Sequence, residues 1–345
     1  MLKIVATHLS QAHLSFSLVA EKKYIIGRKQ GDIIFPNDPS ISQCHAELIV
    51  KHAPGNLTEP LLVPVLDIKS VDNGAKIYAG EENIQRKVAV SHLETVSLGV
   101  GYKFALGSPK NEFRIDYTPF IAVSSGIGNT LGQGDRDKIS KLGGHYIDSW
   151  NESATHLLMT EINLTVKVVC ALLSAKPIVT PAYISDLLLC LMEACDQSKR
   201  LELPHTNLYL PLVNVHDMET NSKISPSTFF PDPERRKLFA GKTFLFSTKR
   251  HLRSLESAII AGAGVAKLIE EATQANIVDG NHIIVGGDLD IDKAKKNRTA
   301  KIIVEIYVSN NKRFVDDEEL GMAALYKSIA KFCNPDAARV VKARP

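Results

Sequence analysis

Three short strings in the first 75 residues carry side chains that suit the binding of an anion. They are Gly27-Arg28, then Ser42-Gln43-Cys44-His45, then Asp72-Asn73-Gly74. Arginine offers a planar fork of hydrogen-bond donors, serine a short hydroxyl, and asparagine a side-chain amide that can hold a peptide backbone. Their order and spacing predict a site for a phosphorylated peptide, and nothing in them indicates catalysis.

The composition indicates a folded protein with nearly balanced charge. The 345 residues are 44% hydrophobic and 23% charged, and the net charge of +3 gives weak support for nucleic-acid binding. The longest apolar runs fall far short of the roughly 18 residues of a membrane span, and the amino terminus lacks the apolar core of a signal peptide. We therefore expect no membrane partner and no secretory fate.

The cysteines argue against both a disulfide framework and a zinc site. All five are scattered, and none forms a C-x-x-C pair. This usage fits a reducing compartment, and we expect no metal and no cofactor. The five are Cys44, Cys170, Cys190, Cys195 and Cys333.

Short alternating segments fill residues 1–115, with Gly, Pro, Asn and Asp between them. This pattern predicts an all-β sandwich. Arg28, Ser42 and Asn73 then fall at strand ends or in loops, where a rigid scaffold presents binding groups. The predicted strands are Leu2–Val5, Tyr24–Ile26, Ala46–Val50, Val65–Ile68, Lys87–Val90, Thr95–Leu98 and Lys103–Leu106.

From about residue 116, strand-like and helix-like segments alternate, which predicts a small parallel α/β sheet ending near residue 198. Five prolines within 200–235 indicate an extended connection. The α/β alternation then returns, and the order of elements after Thr165 is repeated after Thr299. We therefore predict two copies of one α/β module, with helices over Val166–Ser174, Ala182–Ala194, Leu252–Ala261 and Glu318–Phe332.

The three anion-binding strings on a predicted sandwich resemble the forkhead-associated (FHA) family, over roughly the first 110 residues. The resemblance implies that Arg28 and Ser42 bind the phosphate of a phosphothreonine. It also implies that His45 supports the loop and that Asn73 clamps the peptide backbone. Gln43 stands where the family often has arginine, which removes one possible positive charge. The predicted site further includes Gly27 and Gly74.

Each of these strings alone also has an ordinary explanation. Arg28 would then be a solvated surface charge, Ser42-Gln43 a turn, and Asn73-Gly74 a hairpin turn. Taken jointly, in order and on a sandwich, they favour the phosphate site.

A second constellation resembles the BRCT family. Its strings are Val123-Ser124-Ser125-Gly126, Gly143-Gly144, Thr155-His156-Leu157 and Lys167. The resemblance implies a phosphoserine pocket in which Ser125, Gly126 and Lys167 supply a hydroxyl, a backbone amide and an ammonium. Many BRCT domains bind no phosphate, so a structural role for these residues stays open.

The second repeat offers Ser247, Thr248 and Lys301 at loosely similar positions. It has no glycine after the serine, which indicates a structural role rather than a second phosphate pocket. The basic run 293–298 fits a nuclear address or a DNA-contacting loop, although a solvated loop explains it more simply.

The alternative hypothesis is a nucleotide-binding α/β enzyme that uses the Gly126-Ile-Gly128 loop. Leu131 occupies the position of the third glycine of a dinucleotide fingerprint, which weakens this alternative. Gly241-Lys242-Thr243 resembles the end of a P-loop, but Arg236 stands where that turn needs glycine. No spacing supports a catalytic triad or a carboxylate pair, so we predict no catalytic residues.

The predicted fold class is therefore multidomain, an all-β FHA sandwich followed by two α/β BRCT-like modules with small parallel sheets. The expected bounds are 1–112 for the FHA domain, 113–199 for the first BRCT domain, 200–235 for an extended linker and 236–335 for the second BRCT domain.

This order of domains resembles the amino-terminal region of a family of adaptors in the DNA double-strand-break repair and checkpoint complex. The resemblance implies a nuclear protein at chromatin breaks. Its implied partners are phosphothreonine-containing repair proteins and the phosphoserine tails of chromatin or mediator proteins. Family members also bind the nuclease and ATPase subunits of the complex through a carboxyl-terminal region. We see no such region before Pro345, and we expect the chain to be a fragment.

Overall fold

The structure of the protein is a computed structural model, and packing divides it into two compact units. The first contains Met1–Ala122, Thr130–Ile147 and Pro181–His205, and the second contains Val123–Asn129, Asp148–Thr180 and Thr206–Pro345. The domain bounds expected from the sequence stay a prediction. The residues described are all except 8–13, 74, 81–87, 127–130, 194–201, 279, 287–291, 293–295 and 339–345.

The first unit contains a β-sandwich built from two largely antiparallel sheets. One sheet has the strand order β2-β1-β11-β10-β7-β8, and the other has the order β4-β3-β5-β6-β9. A short 3₁₀ helix, Pro54–Thr58, follows β5. The strands are β1 Leu2–Ala6, β2 Ser15–Leu18, β3 Lys23–Gly27, β4 Ile33–Ile34, β5 Ala46–Lys51, β6 Val65–Ser70, β7 Ile77–Gly80, β8 Val88–Val90, β9 Thr95–Leu98, β10 Lys103–Leu106 and β11 Glu112–Tyr117.

Apolar side chains that alternate with polar ones along the strands form the core of the sandwich. Along β1 and β5 every second side chain is buried, because successive side chains of a strand point to opposite faces. Apolar side chains from both sheets join in one cluster, in which the Phe104 and Phe113 rings stack at 5.5 Å. The predicted all-β sandwich is confirmed.

The first α/β module follows the sandwich. Its sheet has the order β13-β12-β14-β16, and β14 pairs with β16 in parallel. The strands are β12 Ile121–Ser124, β13 His145–Ile147, β14 His156–Leu158, β15 Glu161–Ile162 and β16 Ile178–Val179, and the helices are α1 Gln133–Lys141, α2 Val166–Leu173 and α3 Ala182–Glu193.

The second α/β module lies in the second unit. Its central strand β18 pairs in parallel with β19 and with β20, which confirms a small parallel sheet. The strands are β17 Leu212–Val213, β18 Thr243–Phe246, β19 Val265–Leu268 and β20 His282–Val285; the helices are α4 Lys249–Ala261, α5 Gln274–Val278, α6 Arg298–Ser309 and α7 Asp317–Tyr326, with 3₁₀ helices at Thr206–Tyr209, Pro226–Phe229, Pro233–Lys237 and Ile269–Glu271.

Two buried histidines connect the sandwich to α/β elements of the same unit. His52 Nε2 donates to the Gly144 carbonyl at 2.9 Å, and His145 Nδ1 donates to the Asn56 carbonyl at 2.8 Å. Their rings meet edge to face, with centroids 5.1 Å apart. The other nitrogen of each ring is buried without a hydrogen-bond partner among the described residues. Burial lowers the pKa of both rings, which disfavours their charged form.

The structure corrects the sequence expectations in three places. The predicted helix Glu318–Phe332 ends at Tyr326, because Lys327 takes a left-handed conformation with φ of 53°. Segment 200–235, expected as an extended connection, contains two 3₁₀ helices, the start of a third and β17, which pairs with β15. Four strands of the sandwich were not predicted, namely β2, β4, β7 and β11.

Candidate phosphate-binding sites

Arg28 follows the last residue of β3, in a loop that is tied closely to the loop before β5. The Arg28 amide donates to the Ser42 carbonyl at 2.8 Å. Gly27 lies so close to this second loop that an added Cβ would meet the Gln43 carbonyl oxygen at 2.2 Å. A glycine is needed here for this close approach. The structure thus brings Gly27, Arg28, Ser42 and Gln43 together, as predicted.

His45 is fully buried and acts as a brace beneath this pair of loops. Its Nδ1 accepts from the Ser42 amide at 3.1 Å, and its Nε2 donates to the Lys76 carbonyl at 3.2 Å. This pair of contacts requires a neutral ring with the proton on Nε2. Burial lowers the pKa of His45, although Lys76 and two nearby carboxylates oppose the shift. His45 contacts the Ser42 loop and does not line the cleft, and the supporting role that the resemblance implies stays a prediction.

Arg28, Ser42 and Gln43 line one open cleft of about 640 Å³, together with Pro39, Ser40, Ile41, Cys44, Val71 and Asp72. The Nε atom of Arg28 is buried and has no hydrogen-bond partner among the described residues. A buried donor without a partner costs about 1–3 kcal/mol. The cleft therefore presents a cation that gains from an incoming anion.

The carboxylate of Asp38 holds a neighbouring part of the same loop. It accepts hydrogen bonds from the Ser40 amide at 2.8 Å and from Asn111 Nδ2 at 2.6 Å. Burial opposes ionisation, but these hydrogen bonds outweigh it and lower the pKa of Asp38. Asp38 had no signal in the sequence analysis, because its partner Asn111 is 73 residues away.

Asn73 occupies an exposed turn after β6 and does not line this cleft. The turn is closed by the Ala75 amide, which donates to the Asp72 carbonyl at 3.0 Å. Gly74 lies outside the described residues. A backbone clamp by Asn73 stays a prediction.

Ser125 and Lys167 lie together at the amino-terminal end of α2. The Ser125 hydroxyl is 3.1 Å from the Thr165 hydroxyl, and Thr165 caps the helix. Lys167 Nζ donates to the Ser124 carbonyl at 2.8 Å and to the Asp148 carbonyl at 2.7 Å. Burial lowers the pKa of the Lys167 ammonium, although the Asp148 charge opposes the shift. Two of the three ammonium donors are thus already used.

Gly126 follows Ser125 with a left-handed φ of 72° and is exposed. An added Cβ at this position would contact nothing within 4 Å, so the conformation rather than the space favours glycine. Gly128, the second glycine of the alternative nucleotide loop, lies outside the described residues.

The second module differs at the corresponding helix start. Asn297 caps α6 by accepting from the Thr299 and Ala300 amides, and its side-chain amide donates to the Glu270 carboxylate. The position equivalent to Lys167, two residues after the cap, is therefore Thr299. Lys301 lies two residues further on and faces Glu305 at 3.9 Å. The alignment of Lys301 with Lys167 is wrong by two residues, and a structural role for this repeat is favoured.

The described residues contain no group of three or more His, Cys, Asp or Glu side chains that could hold a metal ion. Within the same residues, no helix is long and apolar enough to cross a membrane. Four cysteines are free thiols, and Cys195 lies outside the described part of the chain. Residues 293–295, half of the basic run 293–298, lie outside it as well.

Comparison with known proteins gives a consistent set of similarities. Residues 233–335 match the family described as the second BRCT domain on Nijmegen syndrome breakage protein. The chain is 28% identical over 336 residues to nibrin of Gallus gallus, covering 93% of this chain and 41% of that protein. It is 29% identical over 331 residues to nibrin of Danio rerio, covering 93% of this chain and 37% of that protein. The chain thus spans about two fifths of the length of these relatives.

A solved structure of the S. pombe Nbs1 FHA-BRCT1-BRCT2 domains is similar to this chain. The TM-score is 0.54 at 16% identity, and the match covers 90% of this chain and all of the solved one. This likeness confirms the predicted fold class, an FHA sandwich followed by two BRCT modules.

Proposed function

This chain belongs to the nibrin family, and from that premise we propose that it reads phosphorylated proteins for a DNA double-strand-break repair and checkpoint complex. The observation that carries the proposal is the Arg28 cleft. Arg28, whose buried Nε has no hydrogen-bond partner among the described residues, lines this cleft together with Ser42. Arginine binds phosphate through charge-assisted hydrogen bonds, and phosphorylation adds about 1.5–2 negative charges and three acceptors to a ligand.

In this proposal the FHA cleft binds phosphothreonine motifs on repair partners. Arg28 and Ser42 contact the phosphate, and His45 holds the Ser42 loop in place. Asn73 holds the ligand backbone. The open shape of the cleft suits a peptide, because a peptide must enter as an extended segment rather than as a small enclosed ligand.

The first BRCT module binds the phosphoserine of chromatin or mediator proteins at Ser125, Gly126 and Lys167. The third donor of the Lys167 ammonium and the Ser125 hydroxyl face the phosphate, while the two carbonyl contacts keep the lysine in position. The second module supports the first without a phosphate pocket of its own. The chain itself catalyses no reaction and acts as an adaptor.

The cellular setting is part of the same proposal. The protein works in the nucleus, on chromatin at DNA breaks. The nuclease and ATPase subunits of the complex bind elsewhere in the longer relatives, of which this chain matches about two fifths.

The proposal is tested with three labelled peptides of one sequence, carrying phosphothreonine, phosphoserine or no phosphate. Fluorescence anisotropy should show binding of the phosphorylated peptides alone, in moderate salt. Unmodified duplex DNA and nucleotides serve as competitors. Equal binding of the unphosphorylated peptide, or displacement by a nucleotide, would overturn the proposal.

A further inference from the structure

The Arg28 cleft contains one cation and one carboxylate. Among the described residues that line it, Arg28 is the only basic side chain and Asp72 the only acidic one. Asp72 follows β6 by two residues and is exposed, so a ligand in the cleft can reach its carboxylate. The cleft is therefore dipolar rather than uniformly positive, and it is complementary to a ligand that carries both signs of charge.

Two carboxylates lie near the loop that carries Ser42. The charges of Asp72 and Asp38 both act on His45, where they oppose the burial that lowers the pKa of this ring. His45 in turn accepts from the Ser42 amide at 3.1 Å. Asp38 accepts from the Ser40 amide of the same loop at 2.8 Å. An acidic side chain of a ligand, placed beside a phosphate at Ser42, would therefore meet like charges.

No second cation of the cleft offsets these carboxylates. Gln43 is exposed and lines the cleft, but its side chain is uncharged. Its carbonyl accepts from the Gln30 amide at 3.3 Å, which ties it to the loop after Arg28. The exposed Lys29 does not line the cleft. Arg28 is thus the one lining cation for the phosphate among the described residues, and a further acidic group of the ligand finds no partner there.

We infer that the Arg28 cleft selects phosphothreonine ligands with a lysine or arginine beside the phosphothreonine, and that Asp72 makes this selection. The inference rests on the proposed function of the FHA cleft. In such a ligand the phosphate pairs with Arg28 and the basic side chain with Asp72. The net charge of the chain, +3, would by itself favour an acidic ligand. A preference for a basic flank would therefore come from the cleft and not from the protein as a whole.

The test uses phosphothreonine peptides that differ only in their flanks. Two lysines or two aspartates stand either before or after the phosphothreonine, and a fifth peptide has Ser and Gly on both sides. Anisotropy titrations use the unmutated chain, the variant Asp72→Asn and the control Glu59→Gln. Asparagine keeps a side-chain oxygen that can accept a hydrogen bond in the turn, so this variant removes the charge alone. Glu59 is also an exposed carboxylate of the first unit, but it does not line the cleft.

With the unmutated chain, lysines on one side of the phosphothreonine should tighten binding about threefold relative to the Ser/Gly peptide. Aspartates on that side should weaken binding about threefold, since an exposed charge pair contributes little more than this. Asp72→Asn should bind the two versions equally, whereas Glu59→Gln should keep the difference. The variant Gln43→Arg adds a cation to the cleft and should recover the affinity that the aspartate flank loses, a gain of binding that a misfolded protein cannot show.

The outcomes separate this inference from the proposed function. If none of the phosphothreonine peptides binds, the proposed FHA site fails and the inference falls with it. If the Ser/Gly peptide binds but lysines help on neither side, only the inference is overturned. A preference for the aspartate flank, or a lysine preference that survives in Asp72→Asn, would overturn it in the same way.

Discussion

The cations of the Arg28 cleft and of the Lys167 site differ in how far their hydrogen-bond donors are already used. The Nε of Arg28 is buried with no hydrogen-bond partner among the described residues, whereas the Lys167 ammonium already donates to two backbone carbonyls. Under the proposed function, an incoming phosphate would satisfy an unpaired donor in the first case and would share a paired ammonium in the second. We therefore expect Arg28 to serve ligand binding alone, whereas Lys167 also holds two backbone carbonyls.

The contacts that hold the other residues of the two sites also differ. In the sandwich, His45 fixes the Ser42 loop from beneath and leaves the cleft open. In the first α/β module, the Ser125 hydroxyl already contacts the cap of α2, Thr165. Substitutions should therefore weaken binding without lowering stability at Arg28, and should lower both binding and stability at Lys167.

The largest effect is expected for Arg28→Ala. Loss of charge-assisted hydrogen bonds worth about 1.5–3 kcal/mol should weaken phosphothreonine-peptide binding by about 10- to 150-fold, without lowering thermal stability. Isothermal titration calorimetry measures the affinity. Lys51→Ala is the control, because it removes the same charge at the far end of β5, about 17 Å along the strand from Ala46. Equal losses in both variants would show that the effect is only one of net charge.

For Gly27→Ala we expect a loss of folding stability that is similar in free energy to the loss of affinity in Arg28→Ala. The added methyl would meet the Gln43 and Gln30 carbonyl oxygens at 2.2 and 2.5 Å, so the loops that hold Ser42 must separate. We expect a fall of about 1–3 kcal/mol in the free energy of unfolding, measured with urea, and weaker phosphothreonine binding. Gly55→Ala is the control, since an added Cβ there contacts nothing within 4 Å. Unchanged stability and affinity for Gly27→Ala would contradict the close packing of the two loops.

An intermediate effect is expected for Lys167→Met. The variant should lose about tenfold in phosphoserine-peptide affinity and also unfold more easily, because two carbonyl oxygens lose their ammonium partner. Calorimetry and a thermal melt measure the two losses. Lys301→Met is the matched control, as its position repeats that of Lys167 in the sequence but not in the structure. Loss of binding without loss of stability in Lys167→Met would show that Lys167 has no structural role.

The smallest expected effect is a loss of folding stability at low pH. Burial lowers the pKa of His45, His52 and His145 in the folded protein, and their ordinary value is about 6.5. Below that value the unfolded chain therefore binds more protons than the folded protein. The stability that the buried neutral histidines contribute is present above about pH 6.5 and is lost as the pH falls.

Urea unfolding at pH 7.5, 6.5 and 5.5 measures this loss, which is at most about 1.4 kcal/mol per pH unit for each histidine. The variant His145→Gln should show a shallower decline, and the exposed His92→Gln should match the unmutated chain. An equal decline in all three proteins would exclude the contact between His52 and His145 as a cause.

The sequence reveals the elements that have regular periodicity. Strands such as β5 and helices such as α2 were predicted within one or two residues, because alternation and the 3.6-residue period come directly from burial on one face. Strand β4 has only two residues and shows no alternation. The last helix ends where Lys327 adopts a left-handed conformation, although lysine gives no sequence signal for such a turn.

The chemistry of the sites was predictable only in part. The residue types identified Arg28, Ser42 and Gln43, which the fold brings into one cleft. The carbonyl partners of Lys167 were not predictable, because one of them is 43 residues away and backbone atoms carry no sequence signature. The position of Lys301 depended on which residue caps α6, and that is decided by the side-chain contacts of Asn297.

The most direct test of the Arg28 cleft is an NMR titration that follows the Nε–H signal of Arg28. On addition of a phosphothreonine peptide, this signal should shift strongly, because the unpaired donor gains the phosphate. The unphosphorylated peptide should leave it unchanged. A phosphothreonine peptide that binds while the Arg28 signal stays in place would contradict the account.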